Sequence, residues 1–172
     1  MIQNMIPLMA FLWLLTLVGL RAETPPLEMG AAIPEVTVLS DEGKPVTLSR
    51  AAAKGYALVY FYPKADTPGC TAQACSLRDE YTALQQKGVA IFGVSADKVE
   101  AQAKFREKYH LPFTLLADPE KKVMDAFGVP RMGGFARRQA FLFKDGVLVW
   151  RDLKASTKEQ AADVLKAIAG ES

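Results

Sequence analysis

The chain has 172 residues, with 21 lysines and arginines against 19 aspartates and glutamates and a net charge of +2. So even a balance, with the two signs interspersed, offers no basic face to nucleic acid or to an anionic membrane surface, and neither is expected as a partner. Two cysteines and one histidine are too few soft ligands for a copper or zinc carrier, so no metal and no cofactor are expected.

The first 22 residues are of different material from the rest. Ile6 to Leu20 is almost wholly apolar, broken only by Pro7, Thr16 and Gly19, and Arg21 is the sole charged side chain of the segment. Such a run is short for a membrane helix, which needs about 20 apolar residues. It fits the apolar stretch of a secretory signal peptide cleaved after Ala22. No Lys or Arg precedes it, however, and Leu20 is large for its place two residues before Ala22. An uncleaved signal anchor is therefore the alternative. Either way an exported protein is expected, periplasmic if residues 1–22 are removed and membrane-anchored if they stay, with residues 23–172 as one domain.

Along that domain, Glu35 to Leu39 alternates apolar and polar residues, Asp41-Glu42-Gly43-Lys44 makes a turn, and Val46 to Leu48 resumes: a hairpin near the N-terminus. Ser49 is placed to cap a short helical turn ending at Gly55. Tyr56 to Tyr62 is an apolar, aromatic run that reads as a buried strand. Ser76 to Leu84 reads as an amphipathic helix closed by Gly88, and Val89 to Ser95 as a second buried strand. Asp97 is an N-cap candidate for a helix over Val99–Tyr109. Phe113 to Ala117 is a third strand, after which Asp118-Pro119 starts a short helix through Phe127, with Pro at its first position. A loop rich in Gly and Arg spans 128–138. Ala140–Phe143 and Val147–Trp150 form a hairpin around Lys144-Asp145-Gly146, and an amphipathic helix runs from Thr157 to Gly170. Strands alternating with helices, plus a late antiparallel hairpin, predict an α/β fold with a mixed central sheet and helices on both faces. The element order resembles a thioredoxin-like fold.

Both cysteines lie in Pro63-Lys-Ala-Asp-Thr67-Pro68-Gly69-Cys70-Thr71-Ala-Gln73-Ala-Cys75, between the first buried strand and the helix that follows. Cys70 falls where strand hands over to the first helical turn. Unpaired backbone N–H groups and the positive end of the helix dipole favour an anion there. That makes Cys70 the candidate nucleophile, since the thiolate is the reactive form. Taken singly, Thr67 also reads as a helix N-cap, and Cys75 as a buried apolar thiol or half of a permanent disulfide. Arg137 and Arg138 read equally as solvated loop charges, and His110 as a surface residue at a helix end.

The pattern Pro63-x-x-x-Thr67-x-x-Cys70 resembles the peroxidatic-cysteine signature of the peroxiredoxins. Its extension Thr67-Pro-Gly-Cys-Thr-x-x-Ala-Cys75, followed by Arg78-Asp79, is similar to the bacterioferritin-comigratory-protein (PrxQ) class, and the likeness runs from about Ile33 to Ala169. One departure is Gln73, where that class often has Glu. The resemblance implies a thiol-dependent peroxidase that reduces hydrogen peroxide and organic hydroperoxides, with Cys70 peroxidatic and Cys75 resolving it through an intramolecular disulfide. Thioredoxin or a thioredoxin-like dithiol protein is the implied reductant. A distant arginine completes the family's site, and Arg138 matches its position better than Arg137.

Peroxide reduction asks for a thiolate, donors that polarise the O–O bond, and room for the departing oxygen. Backbone N–H groups at Gly69 and Cys70 are candidate donors, and Gly69 lets substrate approach the backbone. The Thr67 hydroxyl can hold thiolate and peroxide in register. Pro63 and Pro68 stiffen the loop, with Pro63 as a shield against water. Met132, Phe135 and Phe127 read equally as residues that admit alkyl groups and as core. Two helical residues five apart have Cα atoms about 8.6 Å apart, whereas a disulfide needs less than about 7 Å, so bonding Cys70 to Cys75 requires the helix to unwind. Intramolecular resolution needs no second chain, and a monomer is expected. Cys-x-x-Cys, the spacing of a disulfide reductase, is absent.

Overall fold

A computed structural model describes residues 24–170; the apolar segment assigned to export lies outside them. The described chain builds a seven-stranded mixed sheet. In chain order come β1 (Thr37–Ser40), β2 (Pro45–Thr47), α1 (Leu48–Ala51), β3 (Tyr56–Phe61), α2 (Pro68–Asp79), α3 (Tyr81–Gln86) and β4 (Val89–Ser95). They are followed by α4 (Val99–Tyr109), β5 (Thr114–Ala117), α5 (Lys122–Phe127), β6 (Arg131–Met132), β7 (Phe135–Ala136), β8 (Gln139–Lys144), β9 (Val147–Asp152) and α6 (Gln160–Gly170). The sheet order is β2-β1-β5-β4-β3-β8-β9. β3, β4 and β5 run parallel, with Tyr56 opposite Val89 and Phe92 opposite Thr114. β8 closes antiparallel on β3, pairing Phe61 with Gln139.

β3 explains why its sequence is apolar without alternation. As the central strand it is covered on both faces, so both sets of alternating side chains are buried. Leu58 and Tyr60 join a core with α2, α3, α4 and α6, where Leu77, Leu84, Phe105 and Val164 pack. Ala57, Val59 and Phe61 face the opposite core, built with α1 and α5 around Leu48, Met124, Phe127 and Phe141. Helices on both faces of a mixed sheet and the N-terminal hairpin are as the sequence predicts. Gly93 on β4 has a packing role: a Cβ there would sit 2.7 Å from Cζ and Oη of Tyr60.

Local details differ from expectation for identifiable reasons. The helix read over 76–84 begins earlier, at Pro68, and breaks at Glu80, whose φ −98 and ψ 11 separate α2 from α3. Thr47 rather than Ser49 occupies the N-cap of α1. Asp97 does not cap α4; Lys98 holds that position, because the Asp97 carboxylate accepts from Ala65 N and Ser95 Oγ, both at 2.7 Å. Pro119 lies in a turn, and α5 starts only at Lys122, after Lys121 adopts a left-handed φ of 60. Asp118 reaches forward instead, accepting from Met124 N at 3.0 Å. The loop over 128–138 contains the small hairpin β6–β7, turned by Gly133 and Gly134 at φ 58 and 86. α6 starts at Gln160, not Thr157, because Ser156 Oγ accepts from the backbone N–H groups of Lys158 and Glu159 in a separate turn.

Candidate active site

The site forms where β3 ends. Tyr62 N still bonds Val94 O at 3.1 Å. The chain then leaves the sheet through 63–67 and enters α2 at Pro68, whose missing N–H costs nothing in a first helical turn. Thr67 takes the N-cap place with extended backbone, and its carbonyl accepts from Thr71 N at 2.8 Å. Its hydroxyl does not cap; it donates to Lys64 O at 3.0 Å, bracing the loop. Cys70 is the third residue of α2 and only 1 % exposed. Cys75 is half-buried five residues along the same unbroken helix, and both are free thiols.

Arg138 arrives from across the sheet. Because β8 pairs with β3 so that Gln139 faces Phe61, the residue just before β8 comes level with the loop that leaves β3. Its Nη2 donates toward Cys70 Sγ at 3.5 Å. Nη1 donates to Gln73 Oε1, and Gln73 Nε2 in turn donates to Gln160 Oε1 at 2.8 Å. Arg137, by contrast, is exposed and engages Pro130 O only through its backbone N–H. Gly69 permits this approach: a Cβ there would lie 3.3 Å from Arg138 Nη2 and 3.6 Å from Thr157 Cγ2.

The loop itself is fastened by two carboxylates that sequence reasoning missed as site residues. Asp66, in left-handed backbone at φ 59, accepts from Lys108 Nζ at 2.8 Å and Tyr109 OH at 2.6 Å. Those bonds, Lys108 first, hold its carboxyl below the ordinary range. Asp97 takes Ala65 N. Their partners are 42, 43 and 32 residues away, so no local pattern marks them. Below the loop, burial pushes the phenols of Tyr60 and Tyr62 well up, leaving both neutral.

Around Arg138, the residues Pro63, Met132, Phe135 and Leu153 line an open cleft. Met132 and Phe135 are exposed, as a surface for apolar ligand atoms would be. Phe127 is not part of it. It is fully buried in the far core, with its ring centroid 5.3 Å from Phe61 and 5.4 Å from Phe141. His110 ends α4 in left-handed backbone, exposed, as the sequence reading has it.

A thiol at a helix N-terminus on a thioredoxin-like sheet, with a guanidinium against its sulfur, defines a class of proteins that use cysteine for two-electron redox chemistry. The AhpC/TSA family matches residues 29–151, and the chain belongs to it, as a thiol peroxidase of the Bcp/PrxQ class of peroxiredoxins. A putative peroxiredoxin bcp of Coxiella burnetii is 39% identical over 138 residues, covering 74% of this chain and 91% of that protein. Peroxiredoxin Bcp of Bacillus subtilis is 36% identical over 150 residues, covering 83% and 95%. Among solved structures, the bacterioferritin comigratory protein of Xanthomonas campestris superposes with a TM-score of 0.76 at 29% identity, covering 86% of this chain and 99% of that one.

Proposed function

We propose that Cys70 is the peroxidatic nucleophile and Cys75 the resolving thiol of a peroxidase recycled by thioredoxin or a similar dithiol protein. The observation that carries this reading is the Arg138 Nη2 to Cys70 Sγ contact at 3.5 Å, at the N-terminal turn of α2. The thiolate attacks the terminal peroxide oxygen, an S–O bond forms, the O–O bond breaks, and the departing alkoxide or hydroxide takes a proton from solvent. Cys70 becomes a sulfenic acid. Arg138 and the N–H groups of the first turn face the position where negative charge builds on oxygen. Thr67 keeps lone pairs free to accept the peroxide O–H, its own proton being committed to Lys64 O. Gly69 leaves room for the substrate, and Pro63 walls it from solvent.

Resolution then joins the two sulfurs: the Cys75 thiol attacks the sulfenic sulfur and water leaves. Helix geometry keeps Cα atoms five residues apart at about 8.6 Å, so α2 unwinds at its start before that bond forms. A dithiol donor returns two electrons and two protons, restoring both thiols. Hydrogen peroxide and organic hydroperoxides are both substrates in this reading. The X. campestris protein is described for alkyl peroxide reduction, and the apolar cleft of Met132, Phe135 and Leu153 suits an alkyl group here. The enzyme works as a monomer, since both thiols are on one chain. The apolar run Ile6–Leu20 exports it, which fractionation of cells carrying the full-length gene tests; soluble full-length protein in the cytoplasm contradicts it. For the chemistry, Cys70→Ser must lose peroxide turnover with a dithiol reductant, because a serine hydroxyl is not appreciably ionised at neutral pH. Turnover within a few-fold of the parent refutes the assignment.

A further inference from the structure

Six large apolar side chains stand exposed among the described residues, and three of them meet at the cleft around Arg138: Met132 at 70 %, Phe135 at 44 % and Leu153 at 37 %. Met132 and Phe135 pair across the β6–β7 hairpin, which sets their side chains next to each other, and Leu153 follows β9. Single apolar residues on a surface need no explanation, but a cluster of them marks a place where a partner docks. The charge of the cleft is equally one-sided. Its lining includes Arg137, Arg138 and Lys154 and no carboxylate. Among the described residues no ion pair includes Arg137 or Lys154, and both are exposed. Two acids of the flanking elements are engaged: Asp125 pairs with Arg131 at 3.0 Å, and Asp152 accepts from Lys154 N at 2.8 Å. The even overall charge balance hides this local excess.

We propose that this face is where the dithiol protein that reduces the enzyme docks, and that it selects a partner whose own Cys-x-x-Cys is ringed by apolar and acidic side chains. The inference rests on the reading of Cys70 and Cys75 as the redox pair. Hydrogen peroxide, or the alkyl end of a hydroperoxide, enters a cleft of about 400 Å³ without covering the side chains that project around it. A protein covers them. The place also suits the reaction. Arg138, which lines the cleft, sets Nη2 3.5 Å from Cys70 Sγ, so a partner seated there lies beside the segment that carries the oxidised sulfurs. One donor thiolate attacks a sulfur of the Cys70–Cys75 disulfide, breaking that bond and forming a mixed disulfide. The donor's second thiolate attacks the mixed disulfide, leaving both sulfurs of the chain as thiols and the donor as a disulfide. Two electrons and two protons pass to the chain. Arg137 and Lys154 steer an acidic partner to the face, and Met132, Phe135 and Leu153 hold it there by excluding water.

The test starts from the full chain oxidised with one equivalent of hydrogen peroxide. Loss of its disulfide is followed with an acidic thioredoxin and, separately, with dithiothreitol. The readout is the thioredoxin rate constant divided by the dithiothreitol rate constant, so that the reactivity of the disulfide itself cancels. Wild type is compared with Arg137→Glu, Lys154→Glu and Phe135→Ser. Each charge reversal should lower the ratio roughly tenfold at low salt, and far less at roughly 0.5 M, where surface charges are screened. Phe135→Ser should lower it several-fold at either salt concentration. Charge reversals that leave the ratio at the wild-type value overturn the proposal. So does sedimentation showing a wild-type dimer that Phe135→Ser abolishes, which would give the patch to a second copy of the chain. If Phe135→Ser does not fold, the two charge reversals decide, since both side chains are exposed. An oxidised chain holding no Cys70–Cys75 disulfide would overturn the redox-pair reading and the proposal with it, whereas an unchanged ratio overturns the docking face alone.

Discussion

Removing the guanidinium is the sharpest perturbation of this site. In Arg138→Ala a positive charge 3.5 Å from Cys70 Sγ disappears. At an effective dielectric of about 20, two unit charges at that distance interact by about 4 to 5 kcal/mol. Arg138 is half-buried beside an open cleft, so water screens part of this. The charge also stabilises the resting thiolate, and only the surplus felt in the transition state accelerates the reaction. About 2 to 3 kcal/mol remains, or a rate loss of about 30- to 150-fold. The assay is the second-order rate constant for stoichiometric oxidation by hydrogen peroxide, read in competition with a haem peroxidase. Arg137→Ala, whose side chain is exposed, should stay within about twofold of wild type, since surface changes away from a site have small effects. The reasoning is refuted if Arg138→Ala stays within threefold of wild type, or if Arg137→Ala carries the loss instead.

Other expectations follow from separate parts of the molecule. Cys75→Ser should consume one equivalent of peroxide, accumulate a sulfenic acid that dimedone traps, and lose turnover with a dithiol protein; normal turnover with that reductant would place resolution on another thiol. Gly93→Ala should lower stability by about 1–3 kcal/mol through overpacking against Tyr60 and Leu115, and a melting temperature equal to wild type would contradict the packing described. The Asp66 latch should depend on acid. Its carboxyl is held below the ordinary range by Lys108 and then Tyr109, so the latch is intact above the ordinary carboxylate pKa and is lost as pH falls through the depressed folded value. Amide exchange at Ala65–Thr67 should accelerate in acid beyond the intrinsic rate, and Asp66→Asn should show that looseness already at neutral pH; unchanged protection in the variant would remove the latch.

The sequence makes the nucleophile's position legible because every signal for it is local. A continuous apolar strand, the loop prolines and Pro68 at the first helical residue mark the junction that holds Cys70, and the structure keeps it there. Arg138 is legible only through the family resemblance, for nothing near it in sequence distinguishes it from Arg137. What separates them is the β3–β8 register, a long-range pairing. The Gln73–Gln160 relay spans 87 residues and the Asp66–Lys108 latch 42, and polar pairs at such separations leave no periodic trace. The β6–β7 hairpin was readable in principle, since Gly133-Gly134 sits between the two residues Met132 and Phe135 that pair across it. Phe127 stays open between cleft and core in the sequence, because proximity to the Gly-rich loop does not reveal which helix face a residue occupies. α5 turns it, with Val123 and Met124, into the far core.

The fate of the two sulfurs after a single turnover tests the proposed chemistry most directly. The reduced protein, treated with one equivalent of hydrogen peroxide and measured intact and after digestion without reductant, should be lighter by two hydrogen atoms. Its peptide map should join Cys70 to Cys75 within one chain. A mass increased by one oxygen with both cysteines unlinked, or a disulfide joining two chains, would contradict the proposed resolution.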